Sequence, residues 1–173
     1  MAEKKLTFQL NDGTEVNIPE KYRYMFKTID DMLGDVEDGM TMDKIPIVSD
    51  HINSKVMGEI LTYCNYYGTG GLGFDEENKF YDKEYDMNIT MAPDSHWDKE
   101  YFSKYSVQEL EQIMNGANFL NMPGFIERGS KYIGENHING KTPEQIRELF
   151  DLSDDLTEEE KEQIRKENAW CTA

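Results

Sequence analysis

Apolar residues recur with two different periods along this chain, and the change from one to the other marks its first elements. Leu6, Phe8 and Leu10 alternate with polar residues, Asp12-Gly13 supplies a turn, and Val16 and Ile18 alternate again before Pro19, which predicts a β-hairpin. From Tyr22 the period lengthens to 3.6. Tyr22, Met25, Phe26, Ile29, Met32 and Leu33 predict one amphipathic helix of three turns, with Gly34 as its C-cap glycine. An acidic loop from Asp35 to Asp43 follows. Ile45, Ile47 and Val48 then flank Pro46, whose missing N–H restricts this segment to an edge or very short strand. Asn53 is the expected N-cap of a second core helix carried by Val56, Ile60, Leu61, Cys64 and Tyr67 and ending at Gly68.

The stretch from Gly68 to Ser95 opens with GTGGLG, is rich in acids and tyrosines, and reads as a long, mobile insertion. A glycine loop that cradles phosphate needs a preceding strand and a following helix. This one follows a helix and runs into Asp75-Glu76-Glu77, so it carries no nucleotide-binding expectation. Order is expected again at Trp97 to Phe102. Ser106 and Glu109 form a capping box ahead of Val107, Leu110, Ile113, Met114 and Ala117, in a helix running to about Leu120. Phe119 drifts off that stripe, and an exposed aromatic beside Asn118 is an interface signal. After Pro123-Gly124, Phe125, Ile126, Gly129, Tyr132 and Ile133 predict another helix, closed by a turn at His137 to Gly140.

Two more starts are written into the last 33 residues. Thr142, Pro143 and Gln145 combine a capping box with proline at the first helical position, and Thr157 with Glu160 repeats the box. Ile146, Leu149 and Phe150 give the first helix a narrow apolar stripe. The second, from Glu158 to Asn168, has Ile164 as its one large apolar residue, and helices this short are marginal in water without packing. Either the segment is a frayed acidic tail, or it presents Leu156, Ile164 and Trp170 to an external surface. The whole pattern predicts an α+β domain with a helical C-terminal extension.

Charge narrows the partners. The 173 residues carry 18 Lys+Arg against 35 Asp+Glu, a formal net charge of -17, so phosphate backbones are disfavoured and no nucleic acid is expected. No run of 18 apolar residues exists and the first ten residues lack a signal-peptide core, so the expectation is no membrane and a soluble protein of cytoplasm and nucleus. Cys64 and Cys171 show no metal or disulfide spacing. His51, His96 and His137 lie far apart, and His96 between Asp94 and Asp98 reads as a loop histidine among solvated carboxylates rather than a metal or acid-base centre. With no nucleophile elbow and no activating base near Cys171, no enzyme, cofactor or metal is expected.

One alternative chemistry fits by spacing. Asp151, Ser153, Asp155, Thr157, Glu159 and Glu162 occupy positions 1, 3, 5, 7, 9 and 12 of a calcium loop. Against it, Leu156 stands where the sharp turn needs glycine, Glu158 where an apolar residue packs, and Thr157 is already a helix cap. An acidic calcium sensor is kept as the runner-up, with a self-associating scaffold as the third reading.

The segments KTPEQIRELFDL, LTEEEKEQIRKENAWC, WDKEYF and GANFLNMPG, with LNDG, IPIV and a helix ending YCNYY, resemble the S-phase-kinase-associated protein family, the Skp adaptors of cullin-based ubiquitin ligases. The resemblance implies a POZ/BTB-like domain over 1–135, a small three-stranded sheet with packed helices, followed by a two-helix extension over 136–173. It implies a non-enzymatic bridge between a cullin and F-box proteins, with a weak homodimer in the absence of partners. By position it implies cullin binding at Asn118 and Phe119, the latter standing where the family has tyrosine. It implies F-box binding or its local support at Met122, Phe125, Ile146, Leu149, Phe150, Leu156, Ile164, Asn168, Trp170 and Cys171. Pro143 matches a proline that some family members modify.

Overall fold

The hairpin forms where the alternation ends on each side of Asp12-Gly13. In a computed structural model that describes residues 5–34, 44–68 and 96–172, strands β1 (Lys5–Leu10) and β2 (Glu15–Pro19) pair antiparallel, with Phe8 opposite Val16 and Lys5 opposite Pro19. Gly13 takes φ +81°, a left-handed conformation that a side chain would resist, and the Asp12 carboxylate accepts from the Thr14 N–H at 2.8 Å. Strand β3 (Ile45–Ile47) runs parallel to β1, giving the order β2-β1-β3. Pro46 thus sits on an edge, exposed between buried Ile45 and Ile47. The expected acidic loop Asp35 to Asp43 lies outside the described residues, as does nearly all of the expected insertion from Gly68 to Ser95.

One expected helix is two elements. Tyr22 to Leu33 divides into a 3-10 helix (Glu20–Met25) and α1 (Lys27–Gly34), because Phe26 leaves helical conformation at φ -116°, ψ 86°. The apolar residues still reach the core, since the tighter and the wider helix both bring Tyr22, Met25, Phe26 and Ile29 inward. Gly34 is the last residue of α1 and has no left-handed φ, so it is not the C-cap glycine expected. The exposed start of α1 is satisfied from a distance: Lys27 and Thr28 donate their backbone N–H groups to the carbonyls of Asn121 and Leu120.

The remaining helices of the first unit are α2 (Ser54–Gly68), α3 (His96–Phe102), α4 (Val107–Phe119) and α5 (Pro123–Ile133), the last continuing into a π-helical turn, Gly134–Ile138. Asn53 caps α2 through a 2.9 Å bond from the Val56 N–H, as its side chain predicts. Helices α2 and α4 meet closely at Gly116, where a Cβ would lie 2.6 Å from Val56 Cγ1. Their apolar faces join those of the sheet, α1, α3 and α5 in one core.

Tyr63 stands at the centre of an aromatic cluster, 4.5 Å from the ring of Tyr67, 4.6 Å from Phe125 and 6.0 Å from Tyr101. At its edge lies a buried charge. Asp98 is 5% exposed and accepts from Arg128 Nη1 at 2.8 Å and from the Tyr67 hydroxyl. The Arg128 guanidinium lies 4.9 Å over the Tyr67 ring. Asp98 is therefore not the solvated neighbour of His96 that the loop reading supposes. The His96 side chain is exposed and reaches Glu100 at 3.4 Å.

The chain falls into two compact units, Met1–His137 and Ile138–Ala173. The second holds α6 (Pro143–Leu149), α7 (Glu158–Glu167) and a short 3-10 turn, Ala169–Thr172. Among the described residues no helix is long and apolar enough to cross a membrane.

Candidate interaction surfaces

Both candidate surfaces begin where a helix is forced to stop. Helix α4 ends in Asn118 and Phe119 because Asn121 takes φ +52°, and the N–H groups of Asn121 and Met122 return to the carbonyls of Asn118 and Ala117, each at 3.0 Å. This is a Schellman motif with asparagine in the position that glycine commonly fills. It leaves Asn118 exposed and Phe119 37% exposed on the first unit. The Thr28 hydroxyl donates to the Phe119 carbonyl at 3.0 Å, so α1 steadies the backbone beneath the ring.

Met122 and Phe125, expected to border the F-box-facing groove, lie inside the first unit. Both are core residues of the first unit, 3% and 1% exposed, and offer no open surface to a partner in this state. Met122 closes the Schellman motif. Phe125 packs against Tyr63 and stands 5.6 Å from Phe102.

The second unit repeats the design with fewer apolar residues. Thr142 starts α6 by accepting from the Gln145 N–H at 3.3 Å, while the Gln145 side chain accepts from the Thr142 N–H at 2.9 Å. Pro143 is the exposed first residue. Helix α6 stops at a second Schellman motif: Asp151 takes φ +52°, and the N–H groups of Asp151 and Leu152 donate to Glu148 at 3.3 Å and Arg147 at 2.8 Å. Thr157 and Glu160 then start α7 with a reciprocal pair at 3.3 and 2.8 Å. The Thr157 N–H, and then its hydroxyl, hold the Glu160 carboxyl below the ordinary glutamate range.

These contacts give the calcium reading a specific obstacle. Its first position, Asp151, is the residue that terminates α6, and the carbonyl of its seventh, Thr157, already accepts from the Lys161 N–H at 3.0 Å as α7 begins. Asp154, between them, is engaged by Lys161 at 2.6 Å. Among the described residues no group of three or more acidic, histidine or cysteine side chains converges as a cation site would require.

The second unit also leaves apolar side chains in water. Ile146, Leu149, Phe150 and Leu156 are half-buried, whereas Ile164 is 45% exposed and Trp170 is 76% exposed. Asn168 ends α7, its side chain donating to the Ile164 carbonyl at 2.8 Å. Of Cys171 only the backbone is described. Leu152, 58% exposed, belongs with this set although periodicity does not single it out. It follows the αL residue, so no helical stripe contains it. Val48, 74% exposed beside β3, is a further exposed apolar residue on the first unit. Five large apolar side chains are exposed among the described residues, and three lie within the 36 residues of the second unit.

Comparison with known proteins agrees with this division. One family model, described as Skp1 family, tetramerisation domain, matches residues 4–69, and another, Skp1 family, dimerisation domain, matches residues 136–171. An "E3 ubiquitin ligase complex SCF subunit sconC" from Emericella nidulans is 32% identical over 171 residues, covering 99% of this chain and 98% of the relative. "SKP1-like protein 18" of Arabidopsis thaliana is 31% identical over 170 residues, 98% of each chain. A "Skp1-related protein" of Caenorhabditis elegans is 28% identical over 173 residues, 98% of this chain and 92% of the relative.

Proposed function

The chain belongs to the Skp1 family, and from that premise we propose how its two units divide the work of an adaptor. It is a non-enzymatic subunit of an SCF-type ubiquitin ligase and engages F-box proteins and a cullin. The finer reading assigns cullin binding to the first unit around Asn118 and Phe119, and F-box binding to the second unit through Leu152, Leu156, Ile164 and Trp170. The observation that carries it is the exposure of Ile164 on a helix otherwise made of charged and polar residues, and of Trp170 in the 3-10 turn that follows it. A solvated tail has no use for a tryptophan in water, whereas a buried aromatic anchor is what concentrates binding energy at an interface. Phe119 keeps the ring of the family's tyrosine and forgoes its hydroxyl.

The test separates the two surfaces. Trp170→Ala weakens binding of a recombinant F-box domain by about 2 kcal/mol and leaves cullin binding intact, while Phe119→Glu does the reverse. Loss of both partners in either variant overturns the division of labour. Sedimentation of the partner-free chain reads self-association, and a stable homodimer that excludes the F-box domain favours the scaffold reading.

A further inference from the structure

Helices α6 and α7 are joined by a segment that carries a carboxylate between two cationic side chains. Their backbones make few close approaches, Ile164 is 45% exposed, and the connection 152–157 has no regular structure. What spans the connection is charge. Lys161, one turn into α7, donates to Asp154 at 2.6 Å and to Glu158 at 2.9 Å. From α6, Arg147 Nε stands 4.0 Å from the other Asp154 carboxylate oxygen. Both cationic side chains are drawn out of solvent, Lys161 to 15% exposure and Arg147 to 22%. Asp154, on the segment between the helices, therefore bonds Lys161 and stands at ion-pair distance from Arg147.

We propose that Asp154 is a positioning residue, and that the Arg147–Asp154–Lys161 clasp holds α6, α7 and the segment between them in the arrangement to which the F-box partner docks. This rests on the reading of the second unit as the docking element. The physical case is one of substitution. Isolated exposed ion pairs contribute little to stability because solvent competes for them. Here Asp154 lies on a connection without regular structure and bonds Lys161 of α7, so even a small energy bears directly on how that connection is held. Holding the arrangement before the partner arrives removes part of the ordering cost that binding would otherwise incur. Salt weakens the clasp by screening, which links ionic strength to partner affinity through residues that need not touch the partner.

The experiment is a calorimetric titration of the full chain with a recombinant F-box domain at low and high ionic strength. Asp154→Ala and Lys161→Met each weaken binding about threefold to fivefold at low salt and lose most of the salt dependence of the unmodified chain. Asp154→Glu binds normally. Lys161→Asp alone is the weakest, and adding Asp154→Lys to it restores affinity. Unmodified affinity and salt dependence in both single variants overturn the proposal, as does a charge-exchanged pair no better than Lys161→Asp. Trp170→Ala run in parallel identifies which idea has failed: if it binds normally the docking reading falls, and if it alone is weak only the clasp falls. Without partner, the Leu152 amide, which donates to Arg147, exchanges faster in both single clasp variants; equal exchange also overturns the clasp.

Discussion

Arg128 donates to Asp98 across 2.8 Å with both side chains withdrawn from water, at 17% and 7% exposure, and so ties α5 to α3 through a buried ion pair. The same carboxylate accepts from Tyr67 near the end of α2, so three helices converge on one charge. Burial works against the Arg128 charge, but the Asp98 carboxylate at 2.8 Å outweighs it and keeps the guanidinium protonated.

Removing one partner of such a pair strands the other. Arg128→Met is expected to lower the unfolding free energy of the first unit by about 3 kcal/mol, measured by denaturant titration. A loss below about 1 kcal/mol would mean that water reaches Asp98 and the pair is not buried in solution.

Tyr63 supplies the opposite case. Its hydroxyl is buried with no hydrogen-bond partner among the described residues, and desolvation raises the phenol well above its ordinary range. Tyr63→Phe is therefore expected to be neutral or to stabilise by about 1 kcal/mol, whereas Tyr67→Phe, which breaks the bond to Asp98, destabilises. Equal destabilisation by both changes would show that Tyr63 has an ordered partner.

Asp151 holds a left-handed conformation that costs a residue with a Cβ about 1 kcal/mol, and glycine avoids most of that cost. Asp151→Gly is expected to slow amide exchange across α6 without altering the first unit's melt. Faster exchange would mean that the aspartate side chain stabilises the turn more than its backbone strains it.

The caps of the second unit predict a pH response. The backbone N–H and hydroxyl of Thr157 depress Glu160, and Lys161 depresses Asp154, so each folded carboxyl loses its proton more readily than the unfolded one. Their contribution is complete above the ordinary carboxylate range and is lost as pH falls through the lowered values. Amide exchange in α7 should accelerate on acidification, and the Glu160 carboxyl followed by NMR should titrate at higher pH in Thr157→Ala. Identical titration curves would remove the Thr157 hydroxyl as a cause and leave its backbone N–H.

The helix starts were legible because capping is chemistry over four residues. Ser106 with Glu109, Thr142 with Gln145 and Thr157 with Glu160 each form the box their spacing predicts. The helix ends were harder to read. Neither Asn121 nor Asp151 is the glycine that usually marks a left-handed stop, and Gly34, which looks like one, is not. Periodicity also could not distinguish one helix from a 3-10 turn followed by another at Phe26, because both geometries carry the same residues inward.

The sequence by itself determined the local elements, the acidic character, the capped but under-cored C-terminal helices and the family whose motifs they carry. Only the tertiary structure decided that β3 joins β1 in parallel, that Asp98 is a buried partner of Arg128 and that Met122 and Phe125 are core. It alone placed Asp154 between α6 and α7. The reason is distance along the chain. A cap or a stripe is set by residues a few positions apart, whereas burial and charge pairing depend on which segments meet after the chain has closed loops tens of residues long.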